Sequence, residues 1–298
     1  MALDDVDRRL LGALRQDGRV SFEELGRAAQ VSRPAARARV HRMLADGAVR
    51  IETIVHPAEA GLMVMAHASV SVRERSAKAV AESLSARDSC PFVSRVVGRV
   101  PLVAEIRTSD LRTLEEELAA IRVLDGVSAV DTVLYTDIVK DPYLPIGRPD
   151  EFPRFDLDDT DRHLLALLRG DPRASYAELA AGVGLSRGAT RTRVARLLDG
   201  GVAAVIGLTT SMAAGRQEMC GLALRLGPEP GAMAEVARIP EVDFVAATVG
   251  RCDALGTVKA PDRARALAVL DEVAAIPGIR VVETWWHVDL VKERYGPS

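Results

Sequence analysis

Three cysteines in 298 residues, Cys90, Cys220 and Cys252, are too few and too scattered for a disulfide framework. No C-x-x-C pair occurs and no metal-ligand spacing is present, so no zinc site is expected. The thiols read as small, buried, apolar residues. Lysine is nearly missing, with 4 residues against 35 arginines, a bias that points to a GC-rich genome and not to an activity. No apolar run approaches the ~20 residues that a membrane span needs. The start, Met1-Ala2-Leu3-Asp4-Asp5, is acidic and lacks the basic and apolar regions of a secretory signal. A cytoplasmic protein without a membrane partner is expected. There is no Ser/His/Asp order and no phosphate-binding glycine loop. No catalytic residue, no metal and no cofactor are expected.

What is present is ordinary in bulk: 48% hydrophobic and 27% charged residues, on a chain long enough for two or more domains. The net charge of −3 argues at first against a nucleic-acid partner. DNA binding needs only a local basic surface, however, so the position of the arginines decides.

The chain repeats itself. Leu3-Asp4-Asp5-Val6-Asp7-Arg8 returns 154 residues later as Leu157-Asp158-Asp159-Thr160-Asp161-Arg162. The same offset aligns Asp17-Gly18-Arg19 with Asp171-Pro172-Arg173, Val31-Ser32-Arg33 with Leu185-Ser186-Arg187, and Gly61 with Gly215. Further on the offset is 152: Gly98-Arg99 matches Gly250-Arg251, Gly126 matches Gly278, and Tyr143 matches Tyr295. Duplication and fusion explain so many matches in order. Between the copies, residues 141–155 hold Pro142, Pro145, Pro149 and Pro153, which predicts an extended, stiff linker.

The front of each copy predicts three helices. In copy one Asp4 is the candidate N-cap of the first helix, which Gly18 ends. Ser21 and Glu24 form a capping box for the second, and Ser32 caps a third that Asp46-Gly47 stops. Copy two repeats the scheme with Ser175, Glu178, Ser186 and Gly200-Gly201. Two last helices across a tight turn fit the helix-turn-helix motif, whose second element enters the major groove. That element carries the arginines: Arg33, Arg37, Arg39 and Arg42 in copy one, Arg187, Arg191, Arg193 and Arg196 in copy two. The guanidinium fork suits guanine edges and phosphates. The residues expected to meet double-stranded DNA are Arg33, Arg37, Arg42, Arg187, Arg191, Thr192 and Arg196. Arg39 and Arg193 flank buried valines and are expected to share a packing or salt-bridge role.

The rear of each copy reads βαββαβ, a ferredoxin-like order. In copy one the segments are Leu62 to Val72, Ser76 to Arg87, Phe92 to Val97, Leu102 to Arg107, Leu111 to Ile121 and Val127 to Val139; copy two matches from Met219 to Val291. Such sheets have a bare face, so the two copies are expected to pair within the chain, face to face. The fold class is α+β: two tandem copies of a winged or three-helix helix-turn-helix domain followed by a ferredoxin-like βαββαβ ligand-sensing domain. The expected boundaries are 1–55 and 156–208 for the front domains, 56–140 and 209–298 for the rear domains.

Leu3-Asp4-x-x-Asp7, Asp17-Gly18-Arg19, Ser32-x6-Arg39-Val40-x-Arg42, their partners in copy two, Gly250-x-x-Asp253 and Gly278-Ile279-x4-Glu283-Thr284 together resemble the Lrp/AsnC family of bacterial regulators over nearly the full length. The resemblance implies transcription control by an amino acid or related effector, and homo-oligomers of pseudo-dimeric chains. It also implies effector contacts at the turn between the middle strands, giving Gly98, Gly250, Asp253 and the neighbouring Thr284 as candidates. Copy one has Pro101 where copy two has Asp253. Two alternatives compete. One is a siroheme-type decarboxylase, but none of His41, His56, His67, His163 or His287 lies in the middle strands of a rear domain. The other is an effector-binding protein with non-functional DNA-binding domains, against which the retained arginines count.

Overall fold

Each copy opens on three helices whose starts are fixed by the side chains offered as caps. In the computed structural model, which describes residues 3–73, 76–144, 146–148, 151–152, 155–209 and 218–294, these are α1 (Asp5–Gln16), α2 (Phe22–Ala29) and α3 (Arg33–Ala45). Ser21 and Ser32 cap α2 and α3 as expected, and Asp4 caps α1 with Asp7 returning the bond. Gly47 takes the left-handed conformation past α3, at φ 64°. Gly215, Tyr295, Pro145, Pro149 and Pro153 lie outside the described residues.

Gly18 has a different role from the expected one. Helix α1 already ends at Gln16, with Asp17 as its C-cap. Two strands explain the glycine: β1 (Val49–Val55) and, after the second helical triplet, β6 (Ala203–Thr209). They pair antiparallel, Glu52 opposite Ile206. The Gly18 N–H donates to Val205 O at 2.6 Å, and a Cβ there would sit 3.0 Å from the backbone of Val205 and Ile206. Close approach of β6 therefore needs Gly18. The strand that follows each helical triplet pairs with its counterpart from the other copy.

The second triplet is α6 (Asp159–Gly170), α7 (Tyr176–Val183) and α8 (Arg187–Asp199), with the same caps at Asp158, Ser175 and Ser186. The chain divides into two compact units: Met1–His56 with Phe155–Gly215, and Pro57–Arg154 with Arg216–Ser298. The two front segments thus share one unit and the two rear segments the other.

In the rear unit, copy one supplies β2 (Val64–Val72), α4 (Ala77–Ser85), β3 (Phe92–Val97), β4 (Leu102–Thr108), α5 (Leu111–Arg122) and β5 (Val127–Lys140). Copy two supplies β7 (Glu218–Leu226), α9 (Ala232–Arg238), β8 (Val242–Val249), β9 (Ala254–Ala260), α10 (Arg263–Ala274) and β10 (Ile279–Glu293). The order β10-β3-β4-β2-β5-β8-β9-β7 closes on itself as an eight-stranded barrel. The two sheets do pair within one chain, but by their edges, β5 on β8 and β10 on β3, and not only by their faces. Closure leaves no exposed strand edge.

Alternation along the strands sorts the side chains. Ala66, Ala68 and Val70 of β2 and Leu102, Ala104 and Ile106 of β4 pack outward, against Val80, Leu84, Leu114, Leu118 and Ile121 of the helices. Copy two repeats that core around Leu222, Val236, Val258 and Val269. The intervening residues His67, Ser69, Glu105 and Arg107 face into the barrel and are buried. The expected linker is not simply extended. Ile138 and Gly147 exchange backbone hydrogen bonds, and Leu144 and Ile146 are buried, so its first part folds back along β5.

Candidate nucleic-acid interface

In the front unit α3 and α8 each turn one face inward, through Ala36, Val40 and Met43 and through Thr190, Val194 and Leu197. Arg33, Arg37, Arg187 and Arg191 stand on the exposed side, and none has an ion-pair partner among the described residues. Neither helix has an acid in its first turn, so the positive end of each helix dipole stands beside these arginines. Thr192 is exposed, its hydroxyl donating back to Gly188 O at 3.2 Å.

Arg39 and Arg42 do different work. Arg39 Nη1 lies 2.6 Å from Asp4 and 2.9 Å from Asp7, and Arg42 Nη2 lies 2.9 Å from Asp7. Asp7 is buried. Copy two repeats the cluster, Arg193 and Arg196 meeting Asp158 and the fully buried Asp161. The backbone N–H of Asp7, then Arg39, holds the Asp4 carboxyl below its ordinary range; the N–H of Asp161, then Arg193, does so for Asp158. Arg42 and Arg196, expected as DNA contacts, tie the third helix to the first through Nη2 and stay about half exposed.

A second arginine pair had no role assigned to it. Arg19 donates to Pro172 O and Ala174 O, both at 2.7 Å, while Arg173 donates to Gly18 O and to Val20 O. Arg19 also lies over the Tyr176 ring and Arg173 over Phe22. Each copy's arginine clasps the other copy's turn, the reciprocal contact of a pseudo-two-fold interface. The motif Asp17-Gly18-Arg19 signals the repeat but carries no sign that its arginine crosses to the other copy.

In the rear unit the four candidate effector residues do not form one cluster. Gly98 packs against Trp285, and a Cβ on it would stand 3.4 Å from Thr284 O. Gly250 packs against Val133, the residue equivalent to Trp285. The Asp253 carboxylate is taken by Arg225 at 2.8 Å and by the N–H of Leu226 at 3.0 Å. That N–H, followed by Arg225, lowers its pKa. What joins the two glycine turns is a ring of charge absent from the sequence expectations. Arg99 and Arg251 each reach both Asp131 and Glu283.

The AsnC-type helix-turn-helix domain model matches twice, at residues 3–44 and 157–198. An uncharacterized HTH-type transcriptional regulator of Pyrococcus horikoshii is 29% identical over 140 residues, covering 89% of that protein and 46% of this chain. The HTH-type transcriptional regulator LrpA of Mycobacterium tuberculosis is 30% identical over 145 residues, covering 95% of that regulator and 47% of this chain. The chain belongs to the Lrp/AsnC family. Each regulator spans about half of the chain, as a tandem duplication requires, so this Lrp/AsnC member carries in one polypeptide two copies of what those regulators have once. At the level of fold alone, the siroheme decarboxylase NirDL is similar over 97% of this chain and 93% of its own, with a TM-score of 0.61 and 12% identity. Among the described residues no helix is long and apolar enough to cross a membrane.

Proposed function

We propose that this Lrp/AsnC protein is a DNA-binding transcription regulator whose front unit reads two related but unequal half-sites through α3 and α8, and whose rear unit senses a small molecule. What carries the reading is the pair of exposed arginine faces, Arg33 with Arg37 and Arg187 with Arg191, presented from one compact unit without compensating acids. The two faces differ: Pro34, Ala38 and His41 on one stand where Gly188, Thr192 and Ala195 stand on the other. A homodimer reads a palindrome because its helices are identical; here they are not.

An amino acid or related effector is proposed at the two glycine turns, around Gly98, Gly250, Asp253 and Thr284. Its ammonium group would compete with Arg225 for Asp253. Chains associate further as homo-oligomers of pseudo-dimers in the cytoplasm. We read the chain as a regulator and not a decarboxylase: the cavity inside the barrel is about 60 Å³, whereas benzene alone fills one of about 150 Å³, and a tetrapyrrole is several times larger.

Selection of bound DNA from a random pool, followed by binding titrations, tests the reading. Arg37→Ala and Arg191→Ala should each weaken the selected operator by about 1–3 kcal/mol, each at its own half-site. Binding should fall steeply with salt as counterions are released. A double variant that binds as tightly as the parent, or a perfectly palindromic operator, would sink it. Asp253→Ala should remove the effector's influence and leave effector-free DNA binding unchanged.

A further inference from the structure

The inside of the barrel is polar where a closed eight-stranded sheet would ordinarily be filled with apolar side chains or hold one small ligand. A cavity of about 60 Å³ lies there. Its wall includes pairs of residues 152 positions apart, Phe92 with Phe244, Tyr135 with His287 and Asp141 with Glu293, so it straddles the pseudo-two-fold of the rear unit.

The wall is short of positive charge. Glu105 is set against Arg107. Lys259 lies 2.7 Å from Asp243 and 3.7 Å from Glu293, while the charge of Arg107 also acts on Asp141, so two cations face the four carboxylates Glu105, Asp141, Asp243 and Glu293. Glu293 also accepts the Tyr143 hydroxyl at 2.7 Å. Asp141 accepts only backbone N–H groups, from Tyr143 and Leu144, at 2.8 and 3.1 Å. Burial pushes its pKa up to about 6.

A second observation is independent of charge. His287 Nδ1 is 2.9 Å from Ser94 Oγ, and that hydroxyl has its own acceptors in the carbonyls of Asp289, at 3.2 Å, and Arg95, at 3.3 Å. A hydroxyl has one proton. We assign that proton to a carbonyl, which makes Ser94 Oγ the acceptor from Nδ1, and in this tautomer Nε2 presents a lone pair. Burial keeps the ring neutral, its pKa lowered to about 3. Nε2 is buried without a partner among the described residues. So is the indole N–H of Trp285, which is 4% exposed and lines the same cavity. One group asks for a donor, the other for an acceptor, and leaving both unmet is costly.

We propose that this cavity binds one small amino alcohol per chain, its ammonium group donating to His287 Nε2 and its hydroxyl accepting from Trp285. The surplus carboxylates meet the charge, and Phe92 and Phe244 line the same cavity. An amino acid fits worse, because its carboxylate would enter a wall already in excess of negative charge. A bare metal ion is disfavoured too, since no group of three His, Cys, Asp or Glu among the described residues could hold one. The site shares Trp285 with the Gly98 turn, and its occupancy is measured without DNA.

Calorimetry on the full chain with ethanolamine tests this, with ethylamine, ethane-1,2-diol and glycine as comparisons. Ethanolamine should bind at one per chain, ethylamine more weakly, and the diol and glycine should not saturate. His287→Phe should weaken ethanolamine by about tenfold or more, the loss of a hydrogen bond to a charged group. Trp285→Phe should weaken it less and should abolish the advantage of ethanolamine over ethylamine. In the unaltered protein the Trp285 indole N–H resonance, assigned by its loss in Trp285→Phe, should shift on saturation. No saturable binding, a stoichiometry of two, preference for glycine, or an unmoved indole resonance overturns the proposal, as does undiminished affinity in a folded His287→Phe.

Discussion

The front unit repeats its ion pairs and its arginine clasp from copy to copy, whereas the barrel interior does not repeat its residues. Asp4, Asp7, Arg39 and Arg42 have Asp158, Asp161, Arg193 and Arg196 as equivalents, and the same ion pairs recur. Arg19 and Arg173 exchange the same clasp. Inside the barrel, His67 stands opposite Met219 in the repeat, Ser69 opposite Gly221, Glu105 opposite Thr257, Val133 opposite Trp285 and Tyr135 opposite His287. Two related half-sites on DNA would require two modules of one architecture, which would hold the front copies to a common frame. A side chain near the axis of a homodimer must appear twice. Fusion removes that constraint, and the interior is where the copies have parted. Gly221 shows the packing consequence: a Cβ there would overlap the Trp285 indole, so the large residue on one strand needs the missing side chain on the next.

Acid should separate the two regions most. Burial, then Arg251, lowers the pKa of His67 to about 3; burial, then Lys259, does the same for His287. Below the ordinary histidine pKa of 6.5 the unfolded chain takes up these protons and the folded barrel does not, so stability is lost as pH falls from 6.5 toward 3. At pH 5 that is about 2 kcal/mol per histidine. Asp141, raised to about 6, has the opposite sign: the folded state binds its proton first and returns a little over ~1 kcal/mol at pH 5. The net loss is about 3 kcal/mol. In the front unit Asp4, Glu24, Asp158 and Glu178 are all depressed, so their contribution persists until pH falls below the ordinary carboxylate range. Trp285 and Trp286 both report on the rear unit, and hydrogen exchange in α1 and α3 reports on the front. The tryptophan-detected melt should drop between pH 7 and 5 while front-unit protection holds. His67→Met and His287→Tyr, which install the equivalent residue of the other copy, should flatten the drop; an unchanged melt in the parent would falsify the asymmetry's energetic weight.

Next in size is the front-unit ion cluster. Removing one partner of a buried pair costs roughly 3–5 kcal/mol, but here the arginines left behind are partly exposed and can recover water, so about 2 kcal/mol is expected for Asp7→Ala. Asp161→Ala should cost the same to within roughly 0.5 kcal/mol, because it breaks the same contacts. Hydrogen exchange in α1 and α6 reads each loss separately. A difference above about 1 kcal/mol would show that the two modules are alike in geometry but not in energy.

How much of this could be read from the chain follows the same division. Local signals were legible: Ser21 and Ser32 cap where their spacing to Glu24 and Ala35 places them, and Phe92 to Val97 is an element with the expected ends. Contacts between copies were not, because alignment shows which residues correspond but not which touch. Strand β6 was passed over: its run Ala203–Thr209 lacks alternation, and its pairing partner lies some 150 residues earlier. His67 and His287 were set aside for lying outside the middle strands of each rear copy. Closure of the sheet brings β2 and β10, the first and last strands of their copies, to the same interior. Gly18 was read as a helix stop because the strand that needs its missing side chain is far away in sequence.

The smallest effect lies at one of the breaks in the front unit's symmetry. The turn between the second and third helices ends on Gln30 in copy one, at φ 58°, and on Gly184 in copy two, at φ 68°. A left-handed residue with a Cβ carries about 1 kcal/mol of strain that glycine avoids. Gln30→Gly removes that strain but also loosens the unfolded chain, which takes back part of the gain. The backbone N–H of Gln30 caps α2 through Arg27 O and Gly26 O, and glycine keeps that bond. A net stabilisation of about 0.5 kcal/mol is expected, with Gly184→Ala costing about 1 kcal/mol in the reverse direction. Exchange protection at the ends of α2 and α7 measures both. Destabilisation by Gln30→Gly would mean that the glutamine side chain holds the turn by contacts worth more than its strain, and that copy one's turn departs from copy two's by design of the side chain and not by tolerance.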